Sequence, residues 1–143
     1  MDNQRRRILL IDDSPVALKA LKTVLGLHQD WEIVGEAENG LKGLDLFHQR
    51  NPDVVIVDFK MPGINGLEVG REIRRVSAAV LLILFTLHAG AQMESMAKDA
   101  GFDAVLSKAA PFPIVGIIEM MRALPPTVET AGPVRSDDGV PSL

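Results

Sequence analysis

Acidic, hydroxyl and ammonium side chains stand directly after, or within two positions of, short apolar runs of this sequence. They are Asp12, Asp13, Asp58, Thr86 and Lys108. An apolar run that packs into a core gains nothing from a charge at its end, because a charge is costly to bury unless it is paired. The placement of these five residues therefore indicates a common chemical task.

Three carboxylates brought close together repel one another and need a compensating cation. Lys108 supplies one positive charge, and Mg²⁺ suits a site of a few carboxylates with waters left in place. Metal and lysine together form a receptacle for a phosphoryl group, whose oxygens they share with the Thr86 hydroxyl. Asp58, which follows a middle strand, is the best candidate for a nucleophile that forms an aspartyl phosphate.

Five strand-helix pairs would position these residues. Four continuously apolar runs and one loosely alternating run predict the strands, which are Ile8–Ile11, Trp31–Ala37, Val54–Val57, Val80–Phe85 and Ala104–Leu106. A helical pattern follows each of them. This order predicts an α/β domain with a parallel five-stranded sheet and helices on both faces. The carboxyl ends of the strands then meet at one edge, where ligands bind in open sheets.

Helix starts and inward faces follow from turn residues and apolar spacing. Ser14 and Pro15 supply a cap and a first helical residue, and Asn39 and Gly40 open the second helix. In that helix, side chains at helical spacing are Leu41, Leu44 and Phe47. In the third helix, the predicted inward stripe is Leu67, Val69, Ile73 and Val76.

Composition narrows the function classes. A net charge of −4 and a pI near 5.3 argue against a protein that binds nucleic acid through many phosphate contacts. We interpret Arg5–Arg7 as a solvated lead-in to the first strand. The absence of cysteine excludes disulfides, thiol catalysis and Cys-ligated zinc. We find neither a signal peptide nor a membrane span, and we expect a cytoplasmic protein.

The chain length of 143 residues fits one domain with a short extension. Apolar periodicity ends at residue 124, and Pro, Gly, Ser and Asp accumulate after it. We therefore predict one domain over residues 1–124 and a disordered tail over 125–143.

These motifs resemble the receiver domain of two-component response regulators. The matching stretches are Ile11–Ser14, Val57–Asp58 with Met61–Gly63 and Gly66, Thr86, and Ser107–Lys108. They cover residues 7–124 in register. The stretch from Trp31 to Leu46 resembles receivers that carry a helix-turn-helix DNA-binding domain. Because no such domain follows, we expect a single-domain receiver.

The resemblance implies a flavodoxin-like sheet with strand order 2-1-3-4-5 and phosphorylation of Asp58 by a histidine kinase or phosphotransfer protein. It implies that Mg²⁺ is held by Asp13, Asp58 and the backbone carbonyl of Lys60, with Asp12 acting through water. Lys108 would pair with the phosphoryl oxygens, and Thr86 would move to bind one of them. We expect output through a downstream protein target without direct nucleic-acid contact, and homodimerisation on phosphorylation stays open.

Three residues depart from the family pattern. Ala109 stands where members usually have a cis proline, so a cis bond would cost about 2.5–4 kcal/mol rather than about 0.5–1 kcal/mol, and we expect a trans or a strained bond. Val105 replaces the switch aromatic, which excludes the usual ring rotation. Leu87 is bulky at a position where small residues are commonest. These departures bear more on signal transmission than on phosphoryl chemistry.

Alternative interpretations remain open at this point. Taken singly, the acids could cap helices, Thr86 could satisfy a backbone group and Lys108 could lie on the surface. A Mg²⁺-dependent phosphohydrolase also uses an aspartyl nucleophile, but it usually needs an acid two residues later, where this chain has Lys60. A receiver-like scaffold that acts without phosphorylation is the other alternative. As a receiver, the protein would catalyse only its own phosphorylation and dephosphorylation.

Overall fold

The computed structural model describes residues 5–110 and 113–123 of the chain. The strands are β1 Arg6–Ile11, β2 Trp31–Ala37, β3 Val54–Val57, β4 Leu81–Thr86 and β5 Ala104–Ser107. The helices are α1 Pro15–Leu25, α2 Gly40–Arg50, α3 Gly66–Val76, α4 Ala91–Asp99 and α5 Pro113–Ala123. The predicted tail over 125–143 lies outside the described residues, so its disorder stays a prediction.

The five strands form one parallel sheet in the order β2-β1-β3-β4-β5. The predicted fold class and strand order are confirmed. β1 and β3 lie in the interior of the sheet, and their side chains are almost fully buried on both faces from Ile8 to Ile11 and from Val54 to Val57. This burial explains why both strands are continuously apolar.

Two hydrophobic clusters cover the two faces of the sheet. One cluster packs α2, α3 and α4 against alternate residues of the central strands, through Phe47, Ile73 and Ala97 among others. The other packs α1 and α5 against the opposite face, through residues such as Leu21 and Ile118. Helices on both faces follow because neither side of a buried parallel sheet can remain in water.

Side-chain caps begin three of the helices. The Ser14 hydroxyl accepts the Ala17 N–H at 3.2 Å, and Pro15 is the first residue of α1, as predicted. Asn39 caps α2, and Asn65 forms a reciprocal capping box with Glu68 at the start of α3. These caps satisfy free amides of the first turn and fix the direction in which the chain leaves each strand.

Two details of the predicted inward faces are wrong. Leu41 and Val76 are exposed, because α2 turns Gly40, Gly43 and Phe47 to the core and α3 buries Leu67, Val69 and Ile73. A Cβ at Gly43 would lie 2.5 Å from the Ile11 side chain. Close approach of α2 to β1 therefore uses glycine rather than leucine.

The alternation predicted for β2 also fails at one point. Simple alternation along this strand places Val34 on the same face as Glu32 and Glu36, but Val34 is buried, and the pairing with β1 shifts register between Ile8 and Leu9. Such a bulge inserts one residue and reverses which face the following side chains occupy. Trp31 is buried at the start of the strand.

Candidate functional site

The five predicted polar residues come together at the carboxyl edge of the sheet, with Asp58 at the centre. Oxygen atoms of Asp12, Asp13 and Asp58 all lie within 4.8 Å of one another. Lys108 Nζ lies 2.8 Å from Asp12 Oδ2 and 3.2 Å from Asp58 Oδ2. Asp12 and Asp58 are buried, whereas Asp13 is exposed. The Lys108 ammonium thus bridges the two buried carboxylates, and the carboxylate of Asp13 faces solvent.

Backbone hydrogen bonds extend the sheet to the site residues. The Asp12 N–H donates to Ala37 O at 2.9 Å, and the Asp58 N–H donates to Ile11 O at 2.9 Å. The Lys108 N–H donates to Thr86 O at 3.0 Å. These bonds continue the ladder beyond the strands and hold the backbone of Asp12, Asp58 and Lys108 in line with the strand ends.

The turn after β3 approaches Asp58 closely through a glycine. The Gly66 N–H donates to Phe59 O at 2.7 Å, and a Cβ at Gly66 would lie 2.1 Å from the Asp58 carbonyl oxygen. The Phe59 N–H in turn donates to Asp58 Oδ1 at 2.8 Å. Residue 66 must lack a side chain for α3 to begin this close to the central carboxylate.

Burial and charge set the ionisation of the two paired groups. Burial raises the pKa of Asp12, with a further contribution from the Asp58 charge, against the hydrogen bonds from Lys108 and the Ser14 N–H and the Lys108 charge. Burial alone would lower the pKa of Lys108, but its hydrogen bond and charge interactions with Asp12, together with those of Asp58, raise it. The ammonium is therefore held charged among the acids.

We expect Asp12→Asn to stabilise the metal-free protein at neutral pH, because burial raises the pKa of Asp12 and Lys108 keeps Asp58 as a partner. A carboxyl whose pKa is higher in the folded than in the unfolded state destabilises the fold when it is ionised. This destabilisation is complete above the folded pKa and disappears as the pH falls towards the ordinary value of 3.8. The gain in the variant should therefore shrink on acidification. Urea unfolding in EDTA at neutral pH and at about pH 4.5 measures it.

The exposed Asp45 provides the matched control for this change. Asp45→Asn removes one carboxylate from α2 and should leave the free energy of unfolding within about 0.5 kcal/mol. A less stable Asp12→Asn variant at neutral pH would contradict the direction of the Asp12 pKa shift.

The donor set of the acid cluster fits a hard divalent cation. Three carboxylates against one ammonium leave a formal charge of −2, and oxygen donors with open positions are what Mg²⁺ binds in proteins. Asp12, Asp13 and Asp58 are the residues that would hold it. Lys60 is exposed and lines the same cavity, and the use of its backbone carbonyl stays a prediction.

Thr86 ends β4 and is fully buried. Its hydroxyl oxygen accepts the His88 N–H at 3.1 Å. The His88 ring makes an edge contact with Phe59, with centroids 6.0 Å apart. The hydroxyl is thus engaged with the β4–α4 loop, and the two loops that flank the site touch each other. The sequence pattern does not predict either contact.

A cavity of about 540 Å³ adjoins the acid cluster on the α1 side. It reaches from the polar residues Asp13, Asp58, Lys60, His88 and Lys108 to an apolar wall formed by α1, Phe85, Leu87 and Ile114. Leu87 is exposed, so its bulk lies at the rim of this cavity. The Phe85 ring centroid lies 5.9 Å from Lys108 Nζ. Sequence reasoning missed Phe85, whose only signal was its position next to Thr86.

The structure shows the state of the two departures in and after β5. The Lys108–Ala109 peptide bond is trans, which is one of the two expected states. Val105 packs against the cluster formed with α2, α3 and α4.

A family model for the response regulator receiver domain matches residues 8–121. The nitrate/nitrite response regulator protein NarL of Escherichia coli K12 is 35% identical over 109 residues, which are 76% of this chain and 50% of that protein. The chemotaxis protein CheY of Halobacterium salinarum is 31% identical over 103 residues, covering 72% and 84%. The chain thus spans about half the length of the curated relative NarL.

One solved structure corrects a prediction about partners. The DNA-binding response regulator of the LuxR family from Staphylococcus aureus shares 30% identity and a TM-score of 0.74, over 81% of this chain and 98% of that one. The prediction from net charge that direct nucleic-acid contact is excluded is therefore wrong, because this relative is a DNA-binding protein. A summed charge bears only on sequence-independent binding, and it says nothing about the proteins to which such a domain belongs.

Every helix within residues 5–110 and 113–123 lacks the length and apolar character that a membrane span needs.

Proposed function

This chain belongs to the response regulator receiver domain family, and from that premise we propose that Asp58 accepts a phosphoryl group from a histidine kinase or a histidine phosphotransfer protein. The observation that carries the proposal is the position of Asp58. Its carboxylate lies 3.2 Å from the Lys108 ammonium and within 4.8 Å of two further carboxylates. A buried acid without a chemical role would not need an ammonium and two further carboxylates around it. Phosphoryl transfer, in contrast, needs both a nucleophile and concentrated positive charge.

The transfer forms one bond and breaks another. An Asp58 carboxylate oxygen attacks phosphorus, and the bond to the donor nitrogen or oxygen breaks with its electron pair leaving on the donor. When bound, Mg²⁺ neutralises charge on the phosphoryl oxygens. Lys108 has three N–H donors and already contacts Asp58, so it can pair with a phosphoryl oxygen without a large movement.

Thr86 connects this chemistry to the surface. Its hydroxyl accepts the His88 N–H in the structure, and a hydroxyl that turned towards a phosphoryl oxygen would release that N–H. We infer that the β4–α4 loop, and Phe59 through its contact with His88, rearrange on phosphorylation. Signalling would then proceed by protein contact at these loops, without the ring rotation that Val105 cannot perform.

Incubation with acetyl phosphate and Mg²⁺ tests the proposal. We expect one adduct of about 80 Da per chain, the mass of one phosphoryl group, and its loss when EDTA replaces Mg²⁺. Intact-mass spectrometry measures the adduct, and peptide mapping locates it. Sustained release of phosphate from phosphate esters would instead favour a phosphohydrolase. No adduct would favour a scaffold that acts without phosphorylation.

A further inference from the structure

The four residues from Ser107 to Ala110 form the tight turn that carries Lys108 into the acid cluster. The Ala110 N–H donates to Ser107 O at 3.1 Å, which closes the turn with Lys108 as its second residue. Ser107 is in register with Thr86, and the Lys108 N–H donates to Thr86 O. The strand side of the turn is thus anchored to β4, but the far side contains the exposed residues Ala109 and Ala110.

The Ser107 hydroxyl oxygen adds a second closure inside this turn. It accepts the Ala109 N–H at 3.0 Å, while the carbonyl oxygen of the same residue accepts the next N–H along the chain. Serine at the first position of a turn makes this bond readily, because its side chain reaches the backbone two residues ahead. Ser107 therefore binds the two successive backbone N–H groups that follow Lys108, those of Ala109 and Ala110.

We propose that the Ser107 hydroxyl is a positioning group that keeps the Lys108 side chain directed at Asp12 and Asp58. Lys108 Nζ reaches these carboxylates at 2.8 and 3.2 Å, at the end of a four-carbon chain that has many rotamers. A fixed backbone direction at residue 108 restricts those rotamers, and the bond from Ala109 to Ser107 supplies that direction. The importance of Lys108 in phosphoryl transfer rests on the proposed function.

Alanine at position 109 makes this hydrogen bond possible. Residue 109 is the third residue of the turn, its peptide bond is trans, and it has an N–H to donate. The exposed N–H could also bind water, so loss of the hydroxyl does not leave an unsatisfied buried group. The expected effect is therefore on the direction of Lys108 and much less on the stability of the fold.

Three variants test the proposal. Ser107→Ala removes the acceptor, Ser107→Thr keeps a hydroxyl at the same position, and Ser95→Ala removes an exposed hydroxyl from α4 as a control. We expect Ser107→Ala to slow the phosphorylation of the chain by acetyl phosphate about fivefold, the factor expected for one net hydrogen bond. Ser107→Thr should stay within about twofold of the unchanged protein, as should the Ser95 control.

In Ser107→Ala the affinity for Mg²⁺ should rise, although the rate of phosphorylation should fall. The Lys108 ammonium and Mg²⁺ neutralise the same carboxylates, so a less firmly directed Lys108 competes less with the metal. Isothermal titration calorimetry with MgCl₂ should show binding about twofold tighter in Ser107→Ala. General damage to the site would weaken metal binding instead and would lower the urea midpoint.

The outcomes separate this proposal from the function on which it rests. An unchanged phosphorylation rate with unchanged Mg²⁺ affinity, a failure of Ser107→Thr to restore the rate, or weaker Mg²⁺ binding in Ser107→Ala would overturn the role of Ser107. If the unchanged protein takes up no phosphoryl group, the proposed function fails, and the sign of the Mg²⁺ change alone decides the role of Ser107.

Discussion

Asp58→Asn will take up no phosphoryl group from acetyl phosphate, a loss of at least about a hundredfold in rate. The reason is that an amide oxygen is a poor nucleophile. Asparagine nevertheless has the same shape as aspartate. Its Oδ1 can still accept the Phe59 N–H that Asp58 binds at 2.8 Å. The variant should therefore fold normally, and intact-mass spectrometry should show no adduct of about 80 Da.

The same variant should change metal binding and stability in opposite directions. Loss of one of three clustered carboxylates should weaken Mg²⁺ binding by about tenfold. The Asp58 charge contributes to the raised pKa of Asp12, so its removal should stabilise the metal-free protein in urea. Asp45→Asn on α2 is the matched control and should alter none of the three properties. An adduct that persisted in Asp58→Asn would place the acceptor on another residue of the cluster.

Long apolar runs were the part of the fold that could be predicted from local pattern. Ile8–Ile11 and Val54–Val57 are buried on both faces, and that burial leaves an unambiguous signal of continuous apolar residues. The strand order could not be derived in this way, since periodicity says which segments are strands and not which strands are neighbours. The family resemblance implies the strand order 2-1-3-4-5, and the structure shows the same order.

The errors in the predicted inner faces of α2 and β2 concern residues that could lie on either face of the element. Leu41 has the right spacing for the inner face of α2, but Gly43 allows a closer approach to β1 than leucine would, and Gly40 allows a close approach to Val69 of α3. Val34 was assigned by simple alternation, which a single bulge in the β1–β2 pairing reverses. Both outcomes depend on backbone positions that are set by the neighbouring elements.

The candidate site divides in a similar way. The convergence of Asp12, Asp13, Asp58, Thr86 and Lys108 could be predicted because each stands at the end of a strand or shortly after it, and all strands of a parallel sheet end at one edge. Contacts that depend on rotamers and loop paths could not be predicted. Among these are the engagement of the Thr86 hydroxyl with the His88 N–H and the closure of the Lys108 turn by Ser107.

Lys108→Met will slow phosphorylation by acetyl phosphate by about a hundredfold and will make the metal-free protein less stable by about 2–3 kcal/mol at neutral pH. Methionine nearly preserves the length of the side chain but removes the charge. Asp12 and Asp58 then remain buried without the ammonium that lies 2.8 and 3.2 Å from them. Removal of one partner of a buried ion pair is costly because the other charge stays in a poorly solvated place.

The pH dependence identifies the cause of this destabilisation. The pKa of Lys108 is raised in the folded state, so its contribution to stability is complete below its ordinary value of 10.5 and is lost as the pH rises through the folded value. In Lys108→Met the buried Asp12 loses a group that lowers its pKa, so the variant should regain stability on acidification as Asp12 becomes protonated. Urea unfolding in EDTA from about pH 8 to about pH 5 measures this recovery.

Mg²⁺ should reverse part of the defect in Lys108→Met. With the competing ammonium gone, the three carboxylates should bind Mg²⁺ more tightly than in the unchanged protein, so added MgCl₂ should restore stability even though phosphorylation stays slow. Lys42→Met on the exposed face of α2 is the matched control and should leave rate, stability and metal affinity unchanged. A Lys108→Met variant with weaker Mg²⁺ binding, or with a stability loss that persists at low pH, would mean that Lys108 supports the fold by packing rather than by neutralising the acid cluster.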